Sequence, residues 1–392
     1  MKKWGCAALA AAMLFSLFPI AAAADGMPVD VAAAAEHTPA QAPTLGADCA
    51  VLMDGASGKI LLGQNENKRC GMASTTKIMT ALVAIENGDL TKSIRVPREA
   101  VGIEGSSIYL CADEELTLEQ LLYALLLQSA NDAAVAIAAG VCGSVEAFCE
   151  KMNEKAQVLG LENTHFSNPH GLSSKEHYAS AADLARLGAY AMQNETFAKI
   201  VGTYRTEIPM KNGEGKRLLI NHNRLLKSYD GALGIKTGYT KESGRCLVSA
   251  AQRDGLQLIA VTLDDANDWA DHRALFDYGF ATYERVELCR AGEYSLSLPV
   301  VGAAQNEITL QNETALCVTL PRAREEIKCR VLAPRFFYAP LAKGNAYGTL
   351  QYFCGKEPLG ELPLLAAQDC KAAHRPSLWE FFITMLRGKK TS

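Results

Sequence analysis

A serine and a lysine three residues apart have the types and spacing of a nucleophile and its base. They are Ser74 and Lys77 in the stretch "ASTTKIMTAL", residues 73–82. Residues three apart lie on one face of a helix, so the lysine amine would reach the serine hydroxyl. A serine hydroxyl is a weak nucleophile until a base takes its proton, and a neutral lysine amine is such a base. The pair therefore predicts acyl transfer through a covalent serine intermediate.

A plainer interpretation is that Ser74 only caps a helix. Serine at a helix start accepts a backbone N–H. The apolar residues that follow have the spacing of a buried helical face, and they are Ile78, Met79, Leu82 and Ile85. On average residue usage, an S-x-x-K match occurs roughly once in a chain of this length. The choice between the two interpretations therefore depends on motifs elsewhere in the chain.

Two further short motifs lie downstream. "SAND" places Ser129 and Asn131 in a short loop between two predicted helices, and "GIKTGYT" places Lys236, Thr237 and Gly238 on a predicted strand. Each has a plain alternative, because serine and asparagine also cap helices and lysines also occur on edge strands. If the second lysine is buried beside the first, its charge lowers the pKa of the first amine toward the neutral form that a base requires.

The elements around these motifs are predicted in the order strands, helices, strands. Two strands joined by a glycine-rich turn are predicted to begin near Cys49. The sequence "TLEQ" from Thr117 makes a capping box before a leucine-rich helix. "CLVSAAQ" and "LQLIAVTL" flank "RDG", which predicts a hairpin. Other helices are predicted near Asn131, Ser144 and Ser180 and from Trp269 to Tyr283. This order predicts an α+β fold, with an antiparallel sheet flanked by helices.

The later part of the chain has a different pattern. Residues 286–370 hold short alternating runs such as "YSLSL", "EITL", "CVTL" and "KCRVL", with almost no helical periodicity. They predict a second, smaller all-β domain after a catalytic domain at 48–285. A chain of 392 residues, 49% of them hydrophobic, is long enough for two domains without a metal or disulfide staple.

The charge balance excludes one class of partner. The 39 basic and 43 acidic residues are interspersed and give a formal net charge of −4. No basic patch or acidic tail follows from this pattern, so we expect no nucleic-acid partner.

The first residues have the form of an export signal. Lys2 and Lys3 precede an uncharged run that closes on the small residues "PIAAAADG". This predicts a signal peptide at 1–24 and an exported protein, with an uncleaved membrane anchor as the alternative that the length of the run permits. Residues 25–47 are rich in alanine and proline and are predicted to be a linker.

Twelve cysteines in an exported protein would ordinarily suggest disulfides. Removal of Cys6 with the signal leaves eleven, spread along the chain without a C-x-x-C pair. Neither a zinc site nor a disulfide framework is indicated, and we expect most of these residues to pack as small hydrophobic side chains. Cys70 lies close to Ser74 in sequence and is expected to pack in the same way.

The three motifs in this order resemble those of the penicillin-recognising serine acyltransferases. Longer stretches are similar to the low-molecular-mass penicillin-binding proteins, the serine-type D-alanyl-D-alanine carboxypeptidases of peptidase family S11. These stretches are "MASTTKIMTALVAIENG", "LLYALLLQSANDAAVAIA", "NTHFSNPHGL", "HYASAADLARL" and "GIKTGYTKESGRCLVSAAQRDG". The resemblance covers roughly residues 48–285, and the β-rich tail agrees with the family's second domain. One departure is Ala130, where several members carry glycine.

The resemblance implies a β-lactamase/transpeptidase-like catalytic domain and a defined reaction. The enzyme would remove the terminal D-alanine from peptidoglycan stem pentapeptides through an acyl-enzyme, bind β-lactam antibiotics as covalent inhibitors, and need no metal or other cofactor. The implied catalytic residues are Ser74, Lys77 and Ser129, and the implied substrate-binding residues are Asn131, Lys236, Thr237, Gly238 and Tyr239.

The resemblance also implies a role for each of these groups. Ser129 would relay a proton to the leaving amine, and Asn131 would hold the substrate amide. Lys236 and Thr237 would bind the terminal carboxylate, since charge-assisted hydrogen bonds to a carboxylate are strong and orienting. The oxyanion donors would be the backbone N–H groups of the nucleophile and of Tyr239. His170 is predicted to be structural, and Arg245 is left out of the site.

Two other functions fit parts of the pattern. A serine β-lactamase shares the acylation residues but adds a glutamate for deacylation, and the region "ENTHFSNPHGL" lacks the E-x-x-L-N pattern of those enzymes. A non-catalytic wall-binding or penicillin-sensing protein would use the β-rich domain, but the three intact motifs argue against it.

The end of the chain has the pattern of an amphipathic helix. Within residues 371–392, "SLWE" after Pro376 makes a capping box. The apolar face consists of Leu378, Phe381, Phe382, Met385 and Leu386, and basic residues follow it. This pattern predicts a helix lying on an anionic membrane surface, as in the terminal anchors of the family. The alternative is that the helix packs against the β-rich domain.

Overall fold

The computed structural model describes residues 40–211 and 215–373, together with Trp379 and Ile383. The described residues form two compact units. One consists of residues 40–286 and 318–324, and the other of residues 287–317 and the described residues from 325 onward. The predicted signal peptide, most of the predicted linker and nearly all of the predicted C-terminal helix lie outside the described residues.

The described strands and helices are as follows. Strands β1 to β9 are Cys49–Asp54, Ile60–Gln64, Ser93–Arg95, Glu115–Thr117, Arg205–Pro209, Lys216–Ile220, Ala232–Thr240, Gly244–Arg253 and Leu256–Leu263. Strands β10 to β17 are Tyr283–Cys289, Ser295–Val301, Glu307–Gln311, Leu316–Pro321, Ile327–Leu332, Phe337–Tyr338, Ala346–Cys354 and Glu357–Ala366. Helices α1 to α8 are Lys77–Asn87, Leu118–Leu127, Asn131–Cys142, Val145–Val158, Ala181–Ala191, Glu195–Gly202, Leu225–Ser228 and Asp268–Thr282.

The larger unit is built on a five-stranded antiparallel sheet in the order β2-β1-β9-β8-β7. The predicted hairpin is confirmed as β8 and β9, in which Arg253 pairs with Leu256. Asp254 and Gly255 make its turn, and both have positive φ, 48° and 77°. A two-residue hairpin turn that matches the twist of the strands requires this conformation, which explains the Asp-Gly pair.

Helices cover both faces of this sheet, because its strands alternate apolar side chains to either side. On one face α5 lies so close that a Cβ at Gly188 would be 3.3 Å from Ile235 and Val248. On the other face α8 packs on Leu52 and Leu258. Burial on both faces explains why "LQLIAVTL" is almost continuously apolar.

The predicted helix starts are confirmed by their caps. Gln120 N donates to Thr117 Oγ1 at 3.3 Å while Thr117 N donates to Gln120 Oε1 at 2.9 Å, a complete capping box. The side chains of Ser144 and Ser180 accept from the backbone three residues on, as N-caps do. The two-stranded sheets β3–β4 and β5–β6 and helix α6 were not predicted, because their segments are too short for a clear periodicity.

The smaller unit is all β, as predicted. Its six-stranded sheet has the order β14-β16-β17-β12-β11-β15, and the more buried residues alternate along β12 and most of β14. The buried core side chains include Leu310, Leu350, Tyr352, Leu362 and Leu364. Isolated bridges join Leu341 to Cys370 and Ala303 to Ala372, so β contacts continue to the end of the described range.

None of the helices in the described part of the chain is, by itself, both long and apolar enough to cross a bilayer; α3 and α4 satisfy those two criteria only jointly, as a pair bent by 86°.

Candidate active site

Ser74 lies on a 3-10 helix, Ala73–Thr76, that runs directly into α1. No side-chain cap hydrogen bond is made at the start of either helix. The capping interpretation of Ser74 is therefore wrong. Its hydroxyl instead faces Lys77, whose Nζ lies 2.9 Å from Ser74 Oγ, as the three-residue spacing predicted.

Two glycines allow other segments to approach the Ser74 backbone closely. A Cβ at Gly238 would lie 2.9 Å from Ser74 N, and a Cβ at Gly171 would lie 2.0 Å from the carbonyl oxygen of Ala73. Real Cβ atoms do not approach backbone atoms to such distances, so both positions need glycine. Strand β7 and the loop that follows "NPH" are thereby held against the two sides of the candidate nucleophile.

Lys77 is fully buried and has three polar neighbours. Besides Ser74 Oγ, its Nζ lies 2.7 Å from Asn131 Oδ1 and also contacts the carbonyl oxygen of His170. Burial lowers the pKa of Lys77 well below its usual value, and the nearby charge of Lys236 lowers it further. Both effects favour the neutral amine.

The acceptors around Lys77 define where its lone pair lies. The amide oxygen of Asn131 and the carbonyl oxygen of His170 can only accept hydrogen bonds. A neutral amine has two protons, so both are donated to these oxygens. The lone pair then faces Ser74 Oγ and can accept the hydroxyl proton.

Lys236, on β7, is the second buried lysine of the site, with 1% of its surface exposed. Its Nζ donates to the carbonyl oxygen of Thr237 at 2.8 Å. Burial lowers the pKa of Lys236 to about 7. A carboxylate bound beside this amine would favour the charged form, so anion binding and protonation are coupled here.

The "SAND" segment forms the tight connection between α2 and α3. Ser129 has a φ of 58°, in the left-handed region, and Asn131 is the first residue of α3. Asn131 Nδ2 donates to the carbonyl oxygen of Glu104 at 2.6 Å, which leaves its Oδ1 directed to Lys77. No hydrogen bond joins the Ser129 hydroxyl to Ser74 or Lys77 within the described residues.

Asp132 was not predicted to belong to the site. It is buried and accepts hydrogen bonds from Ser107 Oγ at 2.6 Å and from Leu110 N at 3.0 Å. The carboxylate therefore fixes the loop that also provides the Glu104 carbonyl for Asn131. A charged residue in the first turn of α3 was visible in the sequence, but its partners lie more than twenty residues away.

The carbonyl of His170 was also missed, although "NPHGL" contained a turn signal. Asn168 Oδ1 accepts from Gly171 N at 2.7 Å, which makes the local turn. The ring of His170 is held by the same loop, since its Nδ1 accepts from Leu172 N at 3.2 Å. Burial lowers the pKa of His170 to about 4, so the ring is neutral at pH 7.

The remaining predicted residues lie along β7 and around it. Thr237 and Gly238 follow Lys236 on the strand, and the side chain of Tyr239 is 66% exposed. Arg245, which is not predicted to belong to the site, pairs with Asp268 at 2.8 Å. Hydrogen bonds thus join Lys77 to Ser74 and to Asn131. The close approach of Gly238 to the Ser74 backbone places β7 beside these residues.

The family model for D-alanyl-D-alanine carboxypeptidases matches residues 36–267, more than half of the chain. The chain belongs to the D-alanyl-D-alanine carboxypeptidase family. A second model, for the C-terminal domain of penicillin-binding protein 5, matches residues 283–372. The predicted family is therefore confirmed.

Similar proteins cover most of the chain. The D-alanyl-D-alanine carboxypeptidase DacF of Bacillus subtilis is 34% identical over 87% of this chain and 88% of its own. DacA of Escherichia coli K12 is 31% identical over 83% of this chain and 84% of its own. The crystal structure of penicillin binding protein 5 from Haemophilus influenzae has a TM-score of 0.71 at 28% identity, covering 85% of this chain and 99% of the other. These confirm the predicted sheet with helices and second all-β domain.

Proposed function

We propose that this D-alanyl-D-alanine carboxypeptidase uses Ser74 as its nucleophile and neutral Lys77 as the base that activates it. The enzyme removes the terminal D-alanine from peptidoglycan stem pentapeptides and binds β-lactams covalently at the same serine. The observation that supports this assignment is that the buried Lys77 Nζ lies 2.9 Å from Ser74 Oγ and donates hydrogen bonds to two carbonyl-type oxygens.

The first step is formation of the acyl-enzyme. Lys77 takes the hydroxyl proton as Ser74 Oγ attacks the carbonyl carbon between the two D-alanines. The backbone N–H groups of Ser74 and Tyr239 donate to the developing oxyanion. The close approach of Gly238 to Ser74 N supports this pairing, because it holds both N–H groups in one small region.

The substrate is positioned by its terminal carboxylate and by its amide. Lys236 and Thr237 bind the carboxylate, and Asn131 holds the amide. The buried amine of Lys236 makes a strong charge-assisted hydrogen bond once a carboxylate restores its proton. Ser129 relays the proton from Lys77 to the leaving D-alanine amine, and water then hydrolyses the ester with Lys77 again as the base.

Replacement of Lys236 tests the carboxylate site. We expect Lys236→Ala to lower kcat/KM for release of D-alanine from a pentapeptide ending in D-Ala-D-Ala by about 100-fold or more, since a charge-assisted contact to the reacting substrate is lost. The exposed Lys59 lies in the turn between β1 and β2, and Lys59→Ala is the matched control with unchanged activity.

The same assays separate the carboxypeptidase from its nearest alternative. Undiminished D-alanine release by Lys236→Ala would contradict the carboxylate site. Nitrocefin turnover at a rate above that of D-alanine release would instead identify a β-lactamase. No hydrolysis of either compound, with a folded protein, would favour a wall-binding role.

We also propose that the mature protein begins after a signal peptide at 1–24 and acts outside the cell, on the outer face of the cytoplasmic membrane. The proposed arrangement is a linker at 25–47, a catalytic domain at 48–285, an all-β domain at 286–370 and an anchoring segment at 371–392. Support comes from the charged start and apolar run of the signal, and from the amphipathic end of the chain.

The anchor can be tested by truncation. Trp379 is helical and 75% exposed, as an aromatic residue at a membrane interface would be before it binds. A chain that ends at Ala373 keeps the bridge between Ala303 and Ala372. We expect the full mature chain, but not this truncated one, to sediment with vesicles containing anionic lipid, and both to release D-alanine equally.

Salt provides the control for this experiment. A single interfacial helix with trailing basic residues should detach as the salt concentration rises, because screening weakens its attraction to anionic lipid. Sedimentation of the truncated chain, or failure of the full chain to bind anionic vesicles at low salt, would contradict the anchor.

A further inference from the structure

Two cysteine thiols lie against each other beside the segment that leads to Ser74. Cys49 is the first residue of β1 and Cys70 precedes the nucleophile by four residues; their Sγ atoms are 3.2 Å apart. Among the hydrogen-bonding contacts of the described residues, this is the only one between two thiols. The expectation that Cys70 only packs therefore omitted a specific neighbour.

We propose that Cys49 and Cys70 are a modification site, at which thiol–disulfide exchange with a small-molecule disulfide forms a bond that fastens the Ser74 segment to the central sheet. The proposal does not depend on the chemistry assigned to Ser74. It rests on the contact between the two sulfurs, on the way their backbones are held, and on the different access of solvent to the two thiols.

The backbones on both sides of the bond are already fixed. Cys49 lies opposite Leu263 in the pairing of β1 with β9. Cys70 exchanges two backbone hydrogen bonds with Ala179, at 2.9 and 3.0 Å. A disulfide has a sulfur–sulfur distance of about 2.0 Å. The sulfurs, now 3.2 Å apart, therefore need to move together by only about 1 Å.

Only one of the thiols is accessible. Cys49 is completely buried, and burial together with the Cys70 contact raises the pKa of its thiol. Cys70 is half-buried and lines a crevice of about 350 Å³. Arg69 and Lys175 line the same crevice, opposed by Glu242, and so favour an anionic reagent such as oxidised glutathione. Cys70 is thus the thiol that reacts first.

The exchange is balanced in two steps. The Cys70 thiolate attacks one sulfur of the reagent, forms a mixed disulfide and releases one thiolate of the reagent. Cys49 then loses its proton and attacks the Cys70 sulfur, which releases the second thiolate. The two protein thiols lose two electrons and two protons, and the reagent disulfide becomes two thiols.

The first readout uses the unaltered chain. The full-length protein is treated with oxidised glutathione or with dithiothreitol, alkylated with iodoacetamide, digested and analysed by mass spectrometry. We expect the oxidised sample alone to yield the peptides of Cys49 and Cys70 joined and two hydrogens lighter. Closing this loop should also raise Tm by on the order of 5 °C, since a disulfide restricts the unfolded chain.

Variants identify the source of the rise in Tm. Cys49→Ala and Cys70→Ala should each abolish it, whereas Cys111→Ala, which removes an exposed cysteine, should keep it. Alkylation of both thiols in the oxidised sample would overturn the proposal. So would a link from Cys70 to Cys246, whose Sγ lies 3.6 Å from the carbonyl oxygen of Gly71.

A metal site is the remaining alternative, and the same protein distinguishes it. Asp48 Oδ2 lies 3.8 Å from Cys49 Sγ and 4.0 Å from Cys70 Sγ, so three donors are close together. Protection of both thiols from alkylation by Zn²⁺ alone, with no joined peptide after treatment with oxidised glutathione, would establish a metal site instead and overturn the disulfide. The mapping needs no variant, so instability of Cys49→Ala would not obscure it.

Discussion

Replacement of Ser74 by alanine should abolish both covalent labelling by penicillin and release of D-alanine. The loss in kcat/KM should be about 10⁴-fold or more, because without the hydroxyl no acyl-enzyme forms, and removal of a nucleophile typically has an effect of this size. The fold should survive, since the Ser74 side chain caps neither of the helices that begin at this point. Labelling with a fluorescent penicillin and a D-alanine assay measure the two effects.

A nearby serine provides the matched control. Ser173 has a hydroxyl 3.1 Å from Thr240 Oγ1 and from Glu242 Oε2, away from the contacts of Lys77. Ser173→Ala should be labelled as the unaltered protein is. Labelling retained by Ser74→Ala, or a penicillin adduct mapped by peptide mass to another residue, would show that the nucleophile is misassigned.

Features of the fold that depend on local spacing were predictable from the sequence. The capping box at Thr117 and the hairpin turn at Asp254 each need only neighbouring residues, and both are present. The contact between Lys77 and Ser74 belongs to the same class, because one helical turn brings the two side chains together. The capping box, the hairpin turn and the contact between Lys77 and Ser74 therefore follow from the regular geometry of helices and turns.

Other parts of the site depend on long-range packing and had no local signal. The Asn131 amide and the carbonyl of His170 reach Lys77 across 54 and 93 residues of sequence, and only the complete fold brings them together. The two glycines themselves were visible in the sequence, within "HGL" and "KTG". What the sequence did not show was that Gly171 and Gly238 approach the same few backbone atoms.

Replacement of Lys77 should have the second large effect on activity. Lys77→Gln should lower the rate of acylation by penicillin about 10³-fold or more, because general-base catalysis contributes about 10²–10⁴-fold and an amide cannot take the proton of the Ser74 hydroxyl. The exposed Lys151, which pairs with Glu154, gives the control Lys151→Gln, with an unchanged rate. A Lys77→Gln protein that acylates within tenfold of the unaltered enzyme would exclude Lys77 as the base.

The pH dependence of the acylation rate tests whether Lys77 is neutral in this environment. Only neutral Lys77 accepts a proton, so the acylation rate should fall as pH falls through its lowered pKa. The charge of Lys236 is one cause of that lowering, and at acidic pH Lys236 is charged because its own pKa is about 7. Lys236→Met removes this repulsion, so the pKa of Lys77 rises and the acidic limb of the profile moves to higher pH.

The control for the shift of the acidic limb is a variant that keeps the charge of Lys236 and removes only the contact of Thr237 to the substrate carboxylate. Thr237→Val should slow acylation by penicillin but leave the acidic limb where it is, since Lys236 is still present. Movement of the limb in both variants would mean that substrate binding, rather than the protonation of Lys77, determines the profile. An unmoved limb in Lys236→Met would mean that the two lysines are not coupled, and burial alone would then have to keep the base neutral.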